Sequence, residues 1–203
     1  MPQKIRIARR FAVAIMLLTL GMVTPSIGGV IADCNQSLDP DLQIRGCTGF
    51  IQSGATGNNL AIAHTNRGIA YDALNETKRA IVDFSKAIEI FPDYAIAHYN
   101  RGVAYADIGE FERAIVDFDT AIRLVPDDPD AFDARGFTYV DMGDYGRAIA
   151  DFSTAIELDP GFGGAYYHRG LAYGAIRDLD RGVADYNKAL ELGCLRQGWC
   201  PER

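Results

Sequence analysis

Between residues 61 and 94 the small, aromatic and aliphatic positions fall into two stripes. His64, Gly68 and Tyr71 stand at i, i+4 and i+7, and Ala80, Phe84, Ala87 and Ile88 at i, i+4, i+7 and i+8. Positions at those intervals share one face of an α-helix, so the stretch predicts a pair of helices. Pro92 stands just past the second stripe. A proline cannot continue a helix and disfavours helical geometry in the residue before it, so the pair ends there.

The pattern returns every 34 residues, in units 61–94, 95–128, 129–162 and 163–196. The eighth position holds Gly68, Gly102, Gly136 and Gly170, and the eleventh Tyr71, Tyr105, Tyr139 and Tyr173. The twentieth holds Ala80, Ala114, Ala148 and then Gly182; the twenty-fourth Phe84, Phe118, Phe152 and then Tyr186. Ala87, Ala121, Ala155 and Ala189 form the twenty-seventh column, and Pro92, Pro126 and Pro160 the thirty-second, which Cys194 breaks. Small residues let helix backbones approach closely, while the aromatic rings fill the volume between them. One such unit cannot bury its stripe alone, so the units must stack. Upstream, residues 33–60 predict a degenerate half unit that covers the first repeat. Asp39 is placed as N-cap, Pro40 at the first helical position and Gly54 past the end, and a shift of 34 lays Gly46 and Phe50 on the Ala and Phe columns.

These residues at these spacings resemble the tetratricopeptide repeat family over residues 61–196. The resemblance implies an all-α, right-handed superhelical solenoid of antiparallel helix pairs, with four repeats after the half repeat and a short tail at 197–203. It also implies a protein or peptide partner on the concave face, lined by five positions of each first helix. Carried over, these are Ile62, Thr65, Ile69, Asp72 and Ala73, then Ile96, Tyr99, Val103, Ala106 and Asp107. The third unit supplies Asp130, Asp133, Phe137, Val140 and Asp141, and the fourth Gly164, Tyr167, Leu171, Gly174 and Ala175. Asn66 and Asn100, at the sixth position, are placed to hydrogen-bond a partner's backbone, as Asn there does in several peptide-binding relatives. Five of the lining residues are Asp and none is Lys or Arg. The basic clamp by which some relatives hold an acidic tail is therefore missing, and the lining suits an extended segment with basic and apolar side chains. The alternative is that the Asp residues only keep the array soluble.

The chain departs from the family at two columns. Arg67, Arg101, Arg135 and Arg169 occupy the seventh position, where an apolar residue is usual, and Asp83, Asp117, Asp151 and Asp185 the twenty-third. Charges repeated with that fidelity beside the packing glycines predict a ladder of partly buried Arg–Asp pairs between first and second helices. Two unrelated solvated charges per unit are the alternative.

Residues 1–32 have another character. Lys4, Arg6, Arg9 and Arg10 precede an apolar run from Phe11 to Val23, and small residues lead to Ala32. That reads as an export signal cleaved after Ala32, placing the protein in the periplasm or cell envelope. A retained anchor is the competing reading, but the run is shorter than the roughly 20 residues a bilayer core requires. Cleavage removes four of the 20 basic residues and none of the 27 acidic ones, leaving a net charge of −11. A charge of that sign disfavours nucleic acid, and no nucleic-acid partner is expected. The cysteines lie at the two ends, Cys34 with Cys47 and Cys194 with Cys200. In an exported chain they predict two short-range disulfides, free buried thiols being the alternative. The second bridge, with Trp199, is expected to cover the last repeat.

No motif of catalysis or cofactor binding is present: no GxSxG, HExxH, phosphate-binding loop or paired CxxC. His64 and His98 hold equivalent positions on the packing stripe, which favours core filling over metal binding, and His168 stands at a different column. The sequence therefore predicts a non-enzymatic adaptor without cofactor, metal or small-molecule substrate. The rival expectation is a structural subunit that associates through its terminal repeats.

Overall fold

The computed structural model describes residues 33–35 and 38–193, and the described chain is all-α, without a strand. The helices are α1 (Pro40–Gln52), α2 (Gly57–Ala73), α3 (Thr77–Ile90), α4 (Ala95–Asp107), α5 (Phe111–Leu124), α6 (Pro129–Asp141), α7 (Tyr145–Leu158), α8 (Gly163–Ala175) and α9 (Leu179–Glu191). From α2 onward they alternate as first and second helices of the 34-residue units. The expected all-α solenoid of helix pairs is what the chain adopts. None of these helices is long and apolar enough to cross a membrane. The proposed signal at 1–32, the Cys194–Cys200 bridge and Trp199 lie outside the described residues.

Two compact units part between Ala134 and Arg135, inside α6. In the unit ending at Ala134, α2 packs on α3 and α4 on α5, and α3 also meets α4. Its core is built from the repeat columns: Tyr71, Ala80, Phe84 and Ala104 form one cluster, and Tyr105, Ala114 and Phe118 another. A Cβ placed on Gly68 would sit 2.6 Å from the Phe84 ring, which is only 1% exposed and cannot retreat. Glycine is thus required where the ring crosses the helix. In the unit from Arg135, α9 packs on α8 and α8 on α7. Here the Ala-to-Gly change at Gly182 has a reason: a Cβ on it would lie 3.1 Å from the Gly170 carbonyl oxygen, so the two backbones nearly touch.

The turn inside each pair needs a left-handed residue at the fifteenth position. Gly109 and Gly143 supply it at φ of 81° and 79°, while Asn75 and Arg177 adopt it at 61° and 64°.

The cap expected at Asp39 forms. The Asp39 carboxylate accepts from the N–H groups of Asp41 and Leu42, Pro40 opens α1, and Gly54 follows the helix at φ 88°. A disulfide joins Cys34 to Cys47 with their Cα atoms 4.4 Å apart, and both sulfur-bearing residues are buried with Ala63 of α2.

Candidate functional site

The Arg–Asp ladder is present in every unit. Arg67 donates through Nε to Asp83 Oδ2 at 2.7 Å and through Nη2 to Oδ1 at 2.8 Å. Arg101 holds Asp117, Arg135 holds Asp151 and Arg169 holds Asp185 through the same two nitrogens, at 2.7 to 2.9 Å. This fork against two oxygens is the geometry in which a guanidinium binds carboxylate best. Burial alone would push the Asp83 and Asp117 carboxyls up. Hydrogen bonds from Arg67 and His64, and from Arg101 and His98, outweigh it and hold both below the usual carboxylate range. Nη1 of Arg67, Arg101 and Arg169 also reaches back one repeat, donating to the hydroxyls of Thr48, Ser85 and Ser153 at 3.0 to 3.1 Å.

Two things in this network were not visible in the sequence. His64 and His98 do more than fill the core, since their Nδ1 atoms lie 2.8 and 3.1 Å from Asp83 and Asp117 and make a third bond to each carboxylate. Furthermore, a second charged column stacks on the tyrosines. Arg79, Arg113, Arg147 and Arg181 lie over the rings of Tyr71, Tyr105, Tyr139 and Tyr173 at 3.9 to 4.4 Å. Each pairs with an acid three residues earlier, Glu76, Glu110, Asp144 and Asp178. The signal that would have exposed it is the recurrence of acid and Arg at the sixteenth and nineteenth positions. His168 packs instead among Phe137, Phe152 and Tyr167, with ring centroids 5.3 to 5.8 Å away. Among the described residues, no group of three or more His, Cys, Asp or Glu is arranged to hold a metal ion.

The expected partner-binding residues divide by column. The fifth position turns into the core: Thr65 is 1% exposed with its hydroxyl on the Ala61 carbonyl at 3.0 Å, and Asp133 and Tyr167 are buried too. Tyr99 is half-buried, edge-on to Phe118 with centroids 5.9 Å apart. Thr65, Asp133 and Tyr167 therefore do not line an open face. Tyr167 packs against Ala189 and Tyr186 of α9. The sixth column differs from expectation as well. The Asn66 amide donates to the Cys34 carbonyl and to Asn35 Oδ1 at 3.3 and 3.1 Å, so the half repeat already holds it. Asn100 donates to Ile96 O of its own helix at 2.7 Å.

What remains outward is apolar and acidic. In the unit ending at Ala134, Ile96 and Asp107 are exposed, and Ile69, Asp72, Val103 and Asp130 half-exposed. In the other unit Asp141 and Leu171 are exposed and Phe137 half-buried. The first helices carry no Lys, and each Arg they carry is bound to a buried Asp.

The family model described as TPR repeat matches residues 68–109 and 138–176, and two models described as tetratricopeptide repeat match 95–128 and 163–192. The chain belongs to the tetratricopeptide repeat family. The match at 95–128 has the bounds of the second 34-residue unit, and the repeats make this tetratricopeptide repeat protein a protein-interaction scaffold, of a fold typical of non-enzymatic interaction proteins. Its fold is similar to a crystal structure of MamA, 29% identical, with 79% of this chain and 92% of that chain covered and a TM-score of 0.69. A second MamA crystal structure is 25% identical, with 88% and 97% covered and a TM-score of 0.70. MamA from residue 41 to its end, from Desulfovibrio magneticus RS-1, is 20% identical, with 82% and 93% covered and a TM-score of 0.73. No curated protein sequence matches the tetratricopeptide repeat chain.

Proposed function

We propose that this protein is a non-catalytic adaptor that holds an extended protein segment with basic and apolar side chains against its first helices, in the periplasm or cell envelope. The observation that carries the reading is the outward side of α4, where Ile96 and Asp107 are exposed while Arg101 is bound to the buried Asp117. Charge of one sign beside apolar side chains favours a complementary basic, apolar segment. The Cys34–Cys47 disulfide and the basic-then-apolar start of the chain support an oxidising, exported setting.

The test is capture from an envelope extract by the chain lacking residues 1–32, compared with an Ile96→Glu/Asp107→Lys variant. Loss of the same captured proteins by the variant is expected; identical captured sets would overturn the reading. The variant replaces outward residues only, so its fold is checked by an unchanged melting profile.

A second reading, self-association through the terminal repeat, is favoured by one observation on α9. Leu179 and Val183 are 64% and 58% exposed there, whereas Ile81, at the column of Val183, packs into the cluster of Tyr105, Ala114 and Phe118. Light scattering of the wild type and Val183→Asp separates the two, since only a terminal contact makes mass depend on Val183.

A further inference from the structure

Residues 33–35 occupy a place that the repeat reserves for a first helix. Cys34 stands 34 residues before Gly68, and Gly46 stands 34 before Ala80, the two columns at which first and second helices meet. A Cβ on Gly46 would lie 2.7 Å from the Cys34 backbone nitrogen and 2.6 Å from Asp33 Cβ. One on Gly182 would likewise lie 3.1 Å from the Gly170 oxygen. What stands in the half repeat is a helical strap, residues 33–35, crossing α1 at Gly46.

Apart from sulfur, the hold on this strap is slight. The Asn66 amide of α2 donates to Cys34 O at 3.3 Å and to Asn35 Oδ1 at 3.1 Å, and Gln43 Nε2 of α1 donates to Cys34 O at 3.3 Å. These bonds are long for amide donors, and the net worth of each is about that of ordering one residue of backbone. The balance is left to the Cys34–Cys47 disulfide, whose cysteines pack with Ala63, Phe50 and Ile51.

We propose that the strap is a built-in occupant of a segment-binding subsite on α1 and α2, and that the Cys34–Cys47 disulfide is the latch that keeps it there. The Asn66 amide grips a backbone carbonyl and the acceptor of the next side chain, as it would grip an extended partner. Asn100, one repeat on, bonds instead to Ile96 O of its own helix. Asn66 and the half-exposed Ile69 stand at i and i+3 of α2, on one face. With two thiols in place of the bond the strap leaves, and Asn66, Ala63 and Phe50 are bared beside Ile69. The ligand is then the extended basic and apolar segment proposed above, and for that ligand the inference rests on that reading.

Closing is a thiol–disulfide exchange with an oxidant of the disulfide class. One cysteine thiolate attacks the oxidant's disulfide and the other then displaces it; the two thiol hydrogens and two electrons end on the oxidant, which departs as a dithiol. In the closed form Cys34 and Cys47 are 1% and 0% exposed, so small thiols do not reach them and the latch stays shut.

The full chain is purified under reductant in its thiol form, and half of it is oxidised. Iodoacetamide labelling of the folded thiol form, with peptide mapping, reads Cys34 and Cys47 apart from Cys194 and Cys200. Cys34 and Cys47 are expected to label within about tenfold of the rate of a free cysteine, because the strap has left. Labelling only as fast as the backbone amides of α4 and α5 exchange would mean a docked strap and overturns the latch. A fluorescein-labelled octapeptide of alternating Lys and Val is then titrated against both forms by anisotropy. It is expected to bind the thiol form about fivefold more tightly, roughly what one hydrogen bond contributes, and Asn66→Ala to remove that gain. Equal affinities overturn the built-in occupancy. A peptide that binds neither form overturns the occupancy together with the reading above, while the labelling, which uses no ligand, still judges the latch. Should N66A fail to fold, the two wild-type forms decide.

Discussion

Arg101 holds both oxygens of Asp117, Nε on Oδ2 at 2.8 Å and Nη2 on Oδ1 at 2.9 Å, while Nη1 reaches back to Ser85 Oγ at 3.1 Å. One guanidinium thus ties the first helix of its repeat to the second helix of the same repeat and to that of the repeat before. Removing the acid leaves a cation and a histidine without their anion. Asp117→Asn is expected to cost about 3 kcal/mol, the range for breaking a buried pair, and to lower the melting midpoint by roughly 6–12 °C. Calorimetry of the folded variant measures this. A loss under about 1 kcal/mol would place the pair with exposed ones.

The same carboxylates set the response to acid. Asp83 and Asp117 are held below the ordinary carboxylate range in the fold, so their contribution is complete above the unfolded-state value of about 3.9. It is lost as the pH falls through their lower folded-state values. Unfolding free energy followed downward from about pH 5 should therefore decline steeply below about pH 4. Asp117→Asn is expected to flatten that decline in denaturant titrations, because one of the two protonating groups is gone.

Two glycine substitutions should change stability in opposite directions. Gly68→Ala places a methyl 2.6 Å from the buried Phe84 ring and is expected to destabilise by about 1–3 kcal/mol. Gly174 lies in α8 with nothing within 4 Å of a Cβ, so Gly174→Ala should stabilise by about 0.5 kcal/mol through the reduced freedom of the unfolded chain. Urea midpoints of both variants check the signs.

Cys34 and Cys47 close a loop with a sequence separation of 13, worth about 3 kcal/mol in the chain-entropy account. Non-reducing peptide mapping should find the two cysteines linked. Cys34→Ala/Cys47→Ala is expected to open α1 first, seen as faster amide exchange over Pro40–Gln52 than in the disulfide-bonded chain, with the Tyr105 and Phe118 cluster still protected.

The repeat period, the packing columns and the Arg–Asp ladder were legible in the primary structure because each is written once per unit, and four copies separate a pattern from chance. Asp39 and Pro40 were legible for a local reason: cap and first-turn chemistry depends on residues that adjoin in the chain. The inward turn of Thr65, Asp133 and Tyr167 and the capture of Asn66 by Cys34 were decided only by tertiary structure. A helical stripe defines which residues share a face, but the edge of that face is set by how closely the next helix approaches and by the bulk of what it brings. Sequence alone thus determined a stacked array of helix pairs; which side chains that stacking leaves for a partner, and which it consumes, followed from the packing distance between helices.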